Sequence, residues 1–192
     1  MTEKRAKFTK MMDGDAEDYS IIAASNADDY NHLADKVIDH LKMLKDDFGG
    51  FQVDRLTHSL QTATRAHRDG RDDEYVVCAL IHDIGDNLAP ANHAELAATI
   101  LQPFVSDENY WIVKHHGIFQ GYYFFEHLGL DKDMREQFRG HEHFEYTAQF
   151  CHLYDQCAFD KDYESMPLEA FEPMVQKVLA KPKASIYKGR NY

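Results

Sequence analysis

The sequence predicts an all-α protein, and three observations lead to this fold class. Only five prolines punctuate the 192 residues, and none lies between Pro103 and Pro167, which suits long helices. Apolar residues recur three and four positions apart, as on one face of a helix. Runs that alternate apolar and polar residues, as in a half-buried strand, are not evident. We therefore expect one helical domain over residues 1–192, with a core at about 27–180 and a loose tail at 183–192.

Five helices are expected in the first two thirds of the chain. Glycine or proline follows most of these segments, and Asp72, Asp73 and Ser106 are suitable N-terminal caps. The segments are 33–44, 56–66, 72–83, 91–101 and 106–117. An apolar stretch follows at 118–128, and further helices are expected at 134–146, 147–157 and 168–179.

The charge balance narrows the range of functions. The chain has 21 Lys and Arg against 33 Asp and Glu, a formal net charge of −12. This balance argues against nucleic acid and against an anionic membrane surface as partners. No apolar run approaches the roughly 20 residues of a membrane helix, and the charged start does not resemble a signal peptide. We expect a cytoplasmic protein that is a monomer or a small homo-oligomer.

Histidine and aspartate form the central motif. Residues 79–85 read ALIHDIG, so that an apolar helix ends in His82 and Asp83. Burying such a pair is costly unless a metal ion binds both side chains. Taken alone, the pair is more often a histidine at a helix end beside a solvated carboxylate. Further candidate ligands, however, lie on other predicted helices: His58, His93, His115, His116 and Asp155.

The order His, His-Asp, His, His, Asp, each on its own helix, resembles the HD-domain superfamily of metal-dependent enzymes over about residues 48–160. The resemblance implies an HD-type helical bundle with two metal ions bridged by Asp83, since six side chains exceed the needs of one ion. The implied ligands are His58, His82 and Asp155 for one ion, and His93 and His116 for the other. His115 remains an alternative to His116, which we prefer because residues 116–122 resemble the segment after the fourth histidine in the oxygenases of the superfamily.

Three segments favour the mixed-valent diiron oxygenases over the phosphohydrolases of this superfamily. Residues 58–63 (HSLQTA) and 93–98 (HAELAA) are similar to segments of oxygenases that cleave the carbon–phosphorus bond of 1-hydroxyphosphonates. Residues 153–155 (LYD) are similar to the corresponding segment of these oxygenases and of myo-inositol oxygenase, a second member of the oxygenase branch. The resemblance implies a mixed-valent Fe(II)/Fe(III) pair, with Asp83 as the catalytic bridge and with O2 and a small hydroxyphosphonate as partners. A metal-dependent phosphohydrolase and an inactive HD binding module are the alternatives.

Departures from those oxygenases indicate the substrate. Phe48 and Phe51 stand where a relative that acts on a primary amine has Tyr and Glu. Aromatic faces attract a quaternary ammonium by roughly 0.5–2 kcal/mol per contact. This departure and the overall match resemble oxygenases of the family that act on [1-hydroxy-2-(trimethylamino)ethyl]phosphonate, so the resemblance implies this compound as substrate and glycine betaine as product. Gln120 and His152 replace a lysine and an arginine of the relatives. The candidate substrate residues are Phe48, Phe51, Gln120, Tyr123 and His152, with Tyr30 as a candidate gate for the second iron. Lys114, Arg135, Arg139, His141 and His143 are unranked candidates for binding the phosphonate.

Overall fold

The computed structural model describes residues 4–184, and this range contains helices and turns but no strand, which confirms the all-α prediction. The α-helices of the described range are α1 (Ala16–Asn31), α2 (Leu33–Lys42), α3 (Arg55–Arg68), α4 (Asp73–Ile81), α5 (His93–Leu101), α6 (Asp107–Gln120), α7 (Phe144–Phe150) and α8 (Leu168–Leu179). Of the predicted tail, residues 185–192 lie outside the described residues, whereas the Lys183 N–H donates to the Pro103 carbonyl at 2.6 Å. No helix in the described range is long and apolar enough to cross a membrane.

Four α-helices of the described range begin at side-chain caps, and the first of these caps is Asp15, which accepts the Asp18 N–H at 2.9 Å at the start of α1. Asp54, Asp72 and Ser106 each accept the backbone N–H of the residue three positions on, at 2.7, 2.9 and 3.2 Å. These bonds satisfy one of the unpaired N–H groups at the start of α3, α4 and α6. Of the predicted caps, Asp72 and Ser106 are therefore confirmed, whereas Asp73 is the first residue of α4.

The chain departs from the predicted elements in three places. The helix predicted at 134–146 is wrong: a 3₁₀ helix at Lys132–Phe138 stops before Gly140, whose φ of 93° is left-handed, and α7 begins only at Phe144. The helix predicted at 147–157 is instead the end of α7 followed by a π-helical turn at Cys151–Asp155. Helix α1 was not predicted, because its acidic sequence has little apolar periodicity and buries only Asp18.

Helix α4 occupies the centre of the bundle. Every residue of α4 from Tyr75 to Ile81 is buried, which fits a helix that is apolar on all sides. It contacts α3, α6 and α8, and α8 also contacts α2. Since α4 ends at Ile81, the following His82 and Asp83 emerge in the interior of the bundle, where His82 is fully buried.

Candidate metal centre

Four helices and a π-helical turn bring all six predicted ligands together. They are His58 on α3, His82 and Asp83 after α4, His93 at the start of α5, His116 on α6, and Asp155 at the end of the π-helical turn. The side chains of His58, His82, His116 and Asp155 are buried, whereas those of His93 and Asp83 are 27% and 15% exposed. The cluster is thus closed on one side and open on the other.

The two carboxylate oxygens of Asp83 face two different pairs of imidazoles. Its Oδ2 lies 3.3 Å from the Nε2 of His58 and 3.4 Å from the Nε2 of His82. Its Oδ1 lies 3.3 Å from the Nε2 of His93 and 3.0 Å from the Nε2 of His116. This is the arrangement that a carboxylate needs in order to bridge two ions.

Asp155 joins the first imidazole pair. Its Oδ1 lies 3.3 Å from the Nε2 of His58 and 3.7 Å from the Nε2 of His82. The ligand atoms of these three residues all lie within 4.8 Å of one another, and so do those of His82, Asp83 and His116. The candidate ligands therefore fall into two adjoining groups around Asp83, named here the first candidate centre (His58, His82 and Asp155) and the second candidate centre (His93 and His116).

Hydrogen bonds on the far side of three rings fix which nitrogen can bind a metal. The Nδ1 atoms of His58, His82 and His116 lie 3.1, 2.8 and 2.7 Å from the backbone carbonyls of residues 158, 79 and 113. A carbonyl only accepts, so Nδ1 carries the hydrogen and the neutral ring presents a lone pair at Nε2. The Nε2 atoms of His58 and His82 face each other at 3.2 Å, where their lone pairs repel unless a proton or a metal ion lies between them.

The charges of the cluster also favour a cation. Burial alone would lower the pKa of His58, but hydrogen bonds to Asp155 and Asp83 outweigh it and raise that pKa to about 10. Burial would raise the pKa of Asp83 and of Asp155, yet the neighbouring imidazoles hold both pKa values below the ordinary range. The buried Oδ2 of Asp155 has no hydrogen-bond partner among the described residues and is available as a ligand atom. The donor set, this oxygen and the opposed lone pairs fit metal ions.

Gly85 allows the second centre to form. A Cβ atom at this position would lie 2.7 Å from the carbonyl oxygen of His93 and 2.9 Å from its Cα. Contacts this short do not occur between real side chains and backbone, so only glycine lets the start of α5 pack against the turn that carries Asp83. The glycine of the ALIHDIG motif thus serves the close approach of His93 as well as the end of α4.

The π-helical turn presents Asp155 from the opposite side. Gln156 donates its N–H to the carbonyl of Cys151 at 2.9 Å, five residues back, and such turns are frequent at functional sites. The side-chain amide of Gln120 on α6 donates to the Oδ1 of Asp155 at 3.0 Å. Gln120, predicted as a substrate residue, therefore contacts a candidate ligand directly.

A cavity of about 800 Å³ opens onto the exposed side of the cluster. Five of the six candidate ligands form part of its wall: His58, Asp83, His93, His116 and Asp155. Aromatic side chains form much of the rest: Phe51, Tyr123, Phe124, Phe125 and Phe159. Phe51 stacks on Phe159 with ring centres 4.7 Å apart, and Phe159 stacks on His58 at 4.4 Å. Phe159, which the sequence did not single out, thus links the cavity wall to the first centre.

The predicted substrate residues divide into two groups. Phe51, Gln120 and Tyr123 line the cavity. Tyr30, Phe48 and His152 are exposed and do not line the described cavity, which corrects the expected placement of all three.

The backbone explains where those three residues lie. Tyr30 is near the end of α1, which contacts α2 and stands apart from the cluster. Phe48 precedes Gly49 and Gly50, whose φ values of 50° and 91° turn the chain before Phe51. The Nδ1 of His152 lies 3.2 Å from the hydroxyl of Tyr123, so His152 reaches the cavity wall only through that residue.

His116, and not its neighbour His115, reaches the cluster. The His115 ring stacks on Trp111 at 4.0 Å, and its Nδ1 donates to the Trp111 carbonyl at 2.9 Å. His115 therefore faces the aromatic side of α6, away from Asp83.

Two cationic side chains line the cavity, and they are Arg55 and Lys114. Arg55, which sequence reasoning missed, pairs with Asp47 and Asp86. Two of the unranked candidates lie against aromatic rings elsewhere, since Arg135 stacks over Tyr122 and Arg139 over Phe144. Lys114 is thus the predicted cation that the structure places at the cavity.

Comparison with known proteins identifies one family. The family model for the HD domain matches residues 55–170, which is more than half of the chain and includes all six candidate ligands. No curated protein matches the chain.

Proposed function

The chain belongs to the HD domain family, and within it we propose that this protein is a non-haem diiron oxygenase that uses O2 to cleave the carbon–phosphorus bond of a 1-hydroxyphosphonate. The family and the His/Asp cluster point to a metal-dependent enzyme. The similarity of residues 58–63, 93–98 and 153–155 to phosphonate-cleaving oxygenases supports the choice of oxygenase over phosphohydrolase.

The observation that carries the proposal is that the carboxylate of Asp83 contacts two separate pairs of imidazoles. Its two oxygens each lie within 3.4 Å of a separate pair of Nε2 atoms, which supports two ions and one bridge. A single tetrahedral or octahedral ion would leave part of this ligand set unused. When bound, the iron pair would supply Lewis acidity and one-electron redox chemistry toward O2.

The two centres differ in ways that suit different tasks. His58, His82 and Asp155 are buried and, with Asp83, would surround the first ion. His93 and His116 would supply fewer protein ligands to the second ion, and the His93 side chain is 27% exposed, whereas His58 and Asp155, which also line the cavity, are buried. Open coordination positions are where catalytic metals accept substrate or solvent. We propose that the hydroxyphosphonate enters on this side.

The cavity wall supports a quaternary ammonium as part of the substrate. Phe51 and Phe159 stack on each other, and Tyr123 and two further phenylalanines line the same space. These side chains would present aromatic faces to a trimethylammonium group, which cannot donate hydrogen bonds.

Lys114 can approach the opposite charge of such a substrate. In the described range it has no carboxylate partner, and its ammonium lies 5.7 Å from the Tyr110 ring. We propose [1-hydroxy-2-(trimethylamino)ethyl]phosphonate as substrate, with O2 as co-substrate and glycine betaine and phosphate as products.

Anaerobic turnover tests the proposal. Iron-loaded protein is mixed with the hydroxyphosphonate without O2, and phosphate is measured before and after O2 is admitted. Phosphate should appear only after O2, together with glycine betaine. Phosphate release without O2, or hydrolysis of a simple phosphate ester with Mn²⁺ or Mg²⁺, would contradict the proposal and favour a phosphohydrolase. No turnover with either class of substrate would favour a binding module.

A further inference from the structure

An ion pair lies behind His93, on the side of the ring that faces away from Asp83. The Nε2 of His93 is 3.3 Å from the Oδ1 of Asp83, whereas its Nδ1 is 3.3 Å from the Oδ1 of Asp86. The other oxygen of Asp86 pairs with the guanidinium of Arg55. The Asp86 side chain is only 6% exposed, so little water competes for this carboxylate. His93 therefore contacts one carboxylate at each ring nitrogen.

His93 differs from the other candidate ligands in how its Nδ1–H is satisfied. His82 and His116 each donate to a backbone carbonyl three residues earlier, at 2.8 and 2.7 Å. His93 is the first residue of α5, so the residue three positions earlier, Pro90, precedes the helix. No helical carbonyl is available there, and a side-chain acceptor must take its place. Asp86 occupies that position.

The loop before α3 is built around Arg55. The Oδ2 of Asp47 lies 3.2 Å from the Nε of Arg55, and the Arg55 N–H donates to the Asp47 carbonyl at 2.9 Å. Gly49 has a φ of 50°, and a Cβ atom there would lie 2.7 Å from the Nη2 of Arg55. The guanidinium thus occupies space that a side chain at position 49 would fill. Held from two sides, Arg55 orients the carboxylate of Asp86.

We propose that Asp86, held by Arg55, is the positioning residue of the second centre. It accepts the Nδ1–H of His93 and so keeps the Nε2 lone pair directed at the ion that His93 and His116 would share. Carboxylates in this position fix the tautomer of a ligating imidazole, and their loss typically costs about 10–100-fold in metal affinity. The inference rests on the two-centre site of the proposed function.

The effect should be confined to the second ion. In the described range, the side-chain polar contacts of Asp86 are with Arg55 and His93. Direct ligation by Asp86 is the competing role, since ligand atoms of Asp83, Asp86 and His93 lie within 4.8 Å of one another. The pairing of Asp86 with Arg55 and its position beside Nδ1 favour the positioning role.

Cobalt titration tests the assignment without relying on turnover. The metal-free full chain is titrated anaerobically with Co²⁺, and both binding constants are followed by visible absorbance and equilibrium dialysis. Asp86→Ala should weaken binding of the second ion by about 10–100-fold and leave binding of the first ion unchanged. Asp86→Asn should stay closer to the wild type, because its amide oxygen can still accept the Nδ1–H. Arg55→Gln should weaken binding of the second ion, whereas Arg139→Gln, which removes exposed ion pairs with Glu136 and Glu145, should change neither constant.

Four outcomes separate the possibilities. An unchanged second constant in Asp86→Ala, or equal weakening of both ions, would overturn the positioning role. Asp86→Asn as weak as Asp86→Ala would overturn it in favour of direct ligation. One Co²⁺ per wild-type chain would contradict the two-centre site itself. If two Co²⁺ bind as expected but the iron-loaded protein needs no O2 for turnover, the proposed oxygenase is wrong and the role of Asp86 stands.

Discussion

At the scale of single residues, the candidate centre depends most on Asp83. Its carboxylate is the side chain that approaches both imidazole pairs, with four Nε2 atoms between 3.0 and 3.4 Å away. An amide in its place would turn an NH2 donor toward one pair, and alanine would leave both pairs without a common ligand. We therefore expect that a change of Asp83 removes the one ligand that the two centres would share.

Replacing Asp83 by alanine should abolish turnover and lower the metal content from two ions per chain toward one. The expected loss of activity exceeds about 100-fold, because even a group that only supports a ligand can cost about 10–100-fold. Metal analysis after gel filtration and a turnover assay measure both effects. Asp133→Ala, which removes an exposed carboxylate, is the matched control and should behave as wild type. Full metal content in Asp83→Ala would contradict the bridging role.

Metal binding should release a proton from His58. Its pKa of about 10 lies above the ordinary 6.5, so the metal-free ring stays protonated at neutral pH and an incoming ion must displace that proton. Because the His58 pKa is higher in the folded protein than in the unfolded chain, protonation of His58 stabilises the metal-free fold. This stabilisation is complete below pH 6.5 and is lost as the pH rises through about 10.

Calorimetry in buffers of different ionisation enthalpy measures this proton. The first ion should release about one proton at His58 throughout pH 7 to 8.5. An ordinary histidine would release almost none at the upper end of that range, and such a result would contradict the raised pKa.

The residues that form the cluster could be predicted from the sequence, but the contact by which Arg55 holds Asp86 behind His93 could not. The spacing of His58, His82, His93 and Asp155 on separate predicted helices was sufficient to group them. Choosing His116 over His115 from the residues alone was not decisive, because neighbours on a helix point about 100° apart and the buried face must be known. The contact of Arg55 with Asp86 joins residues 31 positions apart and leaves no local pattern.

At the scale of elements, α4 and α6 are joined through Glu74. The Ser106 N–H and the Asn109 side chain donate to its Oε1 at 2.6 and 2.9 Å, and Lys183 donates to its Oε2 at 2.6 Å. Burial alone would raise the pKa of Glu74, but these bonds outweigh it and lower that pKa to about 2. Glu74 thus fixes the start of the helix that carries His116 against the helix that leads to Asp83.

Replacing Glu74 by glutamine should destabilise the fold by about 1–2 kcal/mol at neutral pH, the usual value of hydrogen bonds to a charged group at a partly exposed site. Because the folded pKa is depressed, the advantage of the wild type is present above pH 4.5 and should shrink as the pH falls toward 2. Urea unfolding of both proteins at several pH values measures the difference. A difference that is constant with pH would contradict the role of the charge.

Elements with strong local signals were predictable, and those set by tertiary contacts were not. The caps of α4 and α6 and the apolar pattern of α8 depend on residues that are close together in the sequence. The π-helical turn at Cys151–Asp155 has no such signal, since it places Asp155 opposite His58, about a hundred positions away. The break at Gly140 was missed because a single glycine inside an apolar pattern does not by itself end a helix.

At the scale of the whole molecule, the cluster draws on elements from α3 to the π-helical turn. Its ligands span positions 58 to 155, and the cavity is lined by residues from Phe51 to Phe159. The sequence indicated the class of fold and the residues of the cluster, whereas the shape of the cavity follows only from the packing of the bundle. Bound ions would tie these elements together and stabilise the folded state by mass action.

Removing the metal should therefore lower the thermal midpoint of the whole protein. An ion present at a hundred times its Kd adds about 2.7 kcal/mol. For a chain of this size that corresponds to roughly 5–10 °C. Calorimetry before and after chelation, with and without reloading, measures the shift, and Asp83→Ala should show a smaller one. An unchanged midpoint in the wild type would contradict a site that spans the bundle.

The most direct test of the central claim is EPR spectroscopy of the iron-loaded protein together with an iron count. If Asp83 bridges two ions, anaerobic loading should give two irons per chain, and one-electron oxidation should give the signal of a coupled Fe(II)/Fe(III) pair. Asp83→Ala should lose that signal. One iron per chain, or two irons with the spectra of isolated ions, would contradict the account.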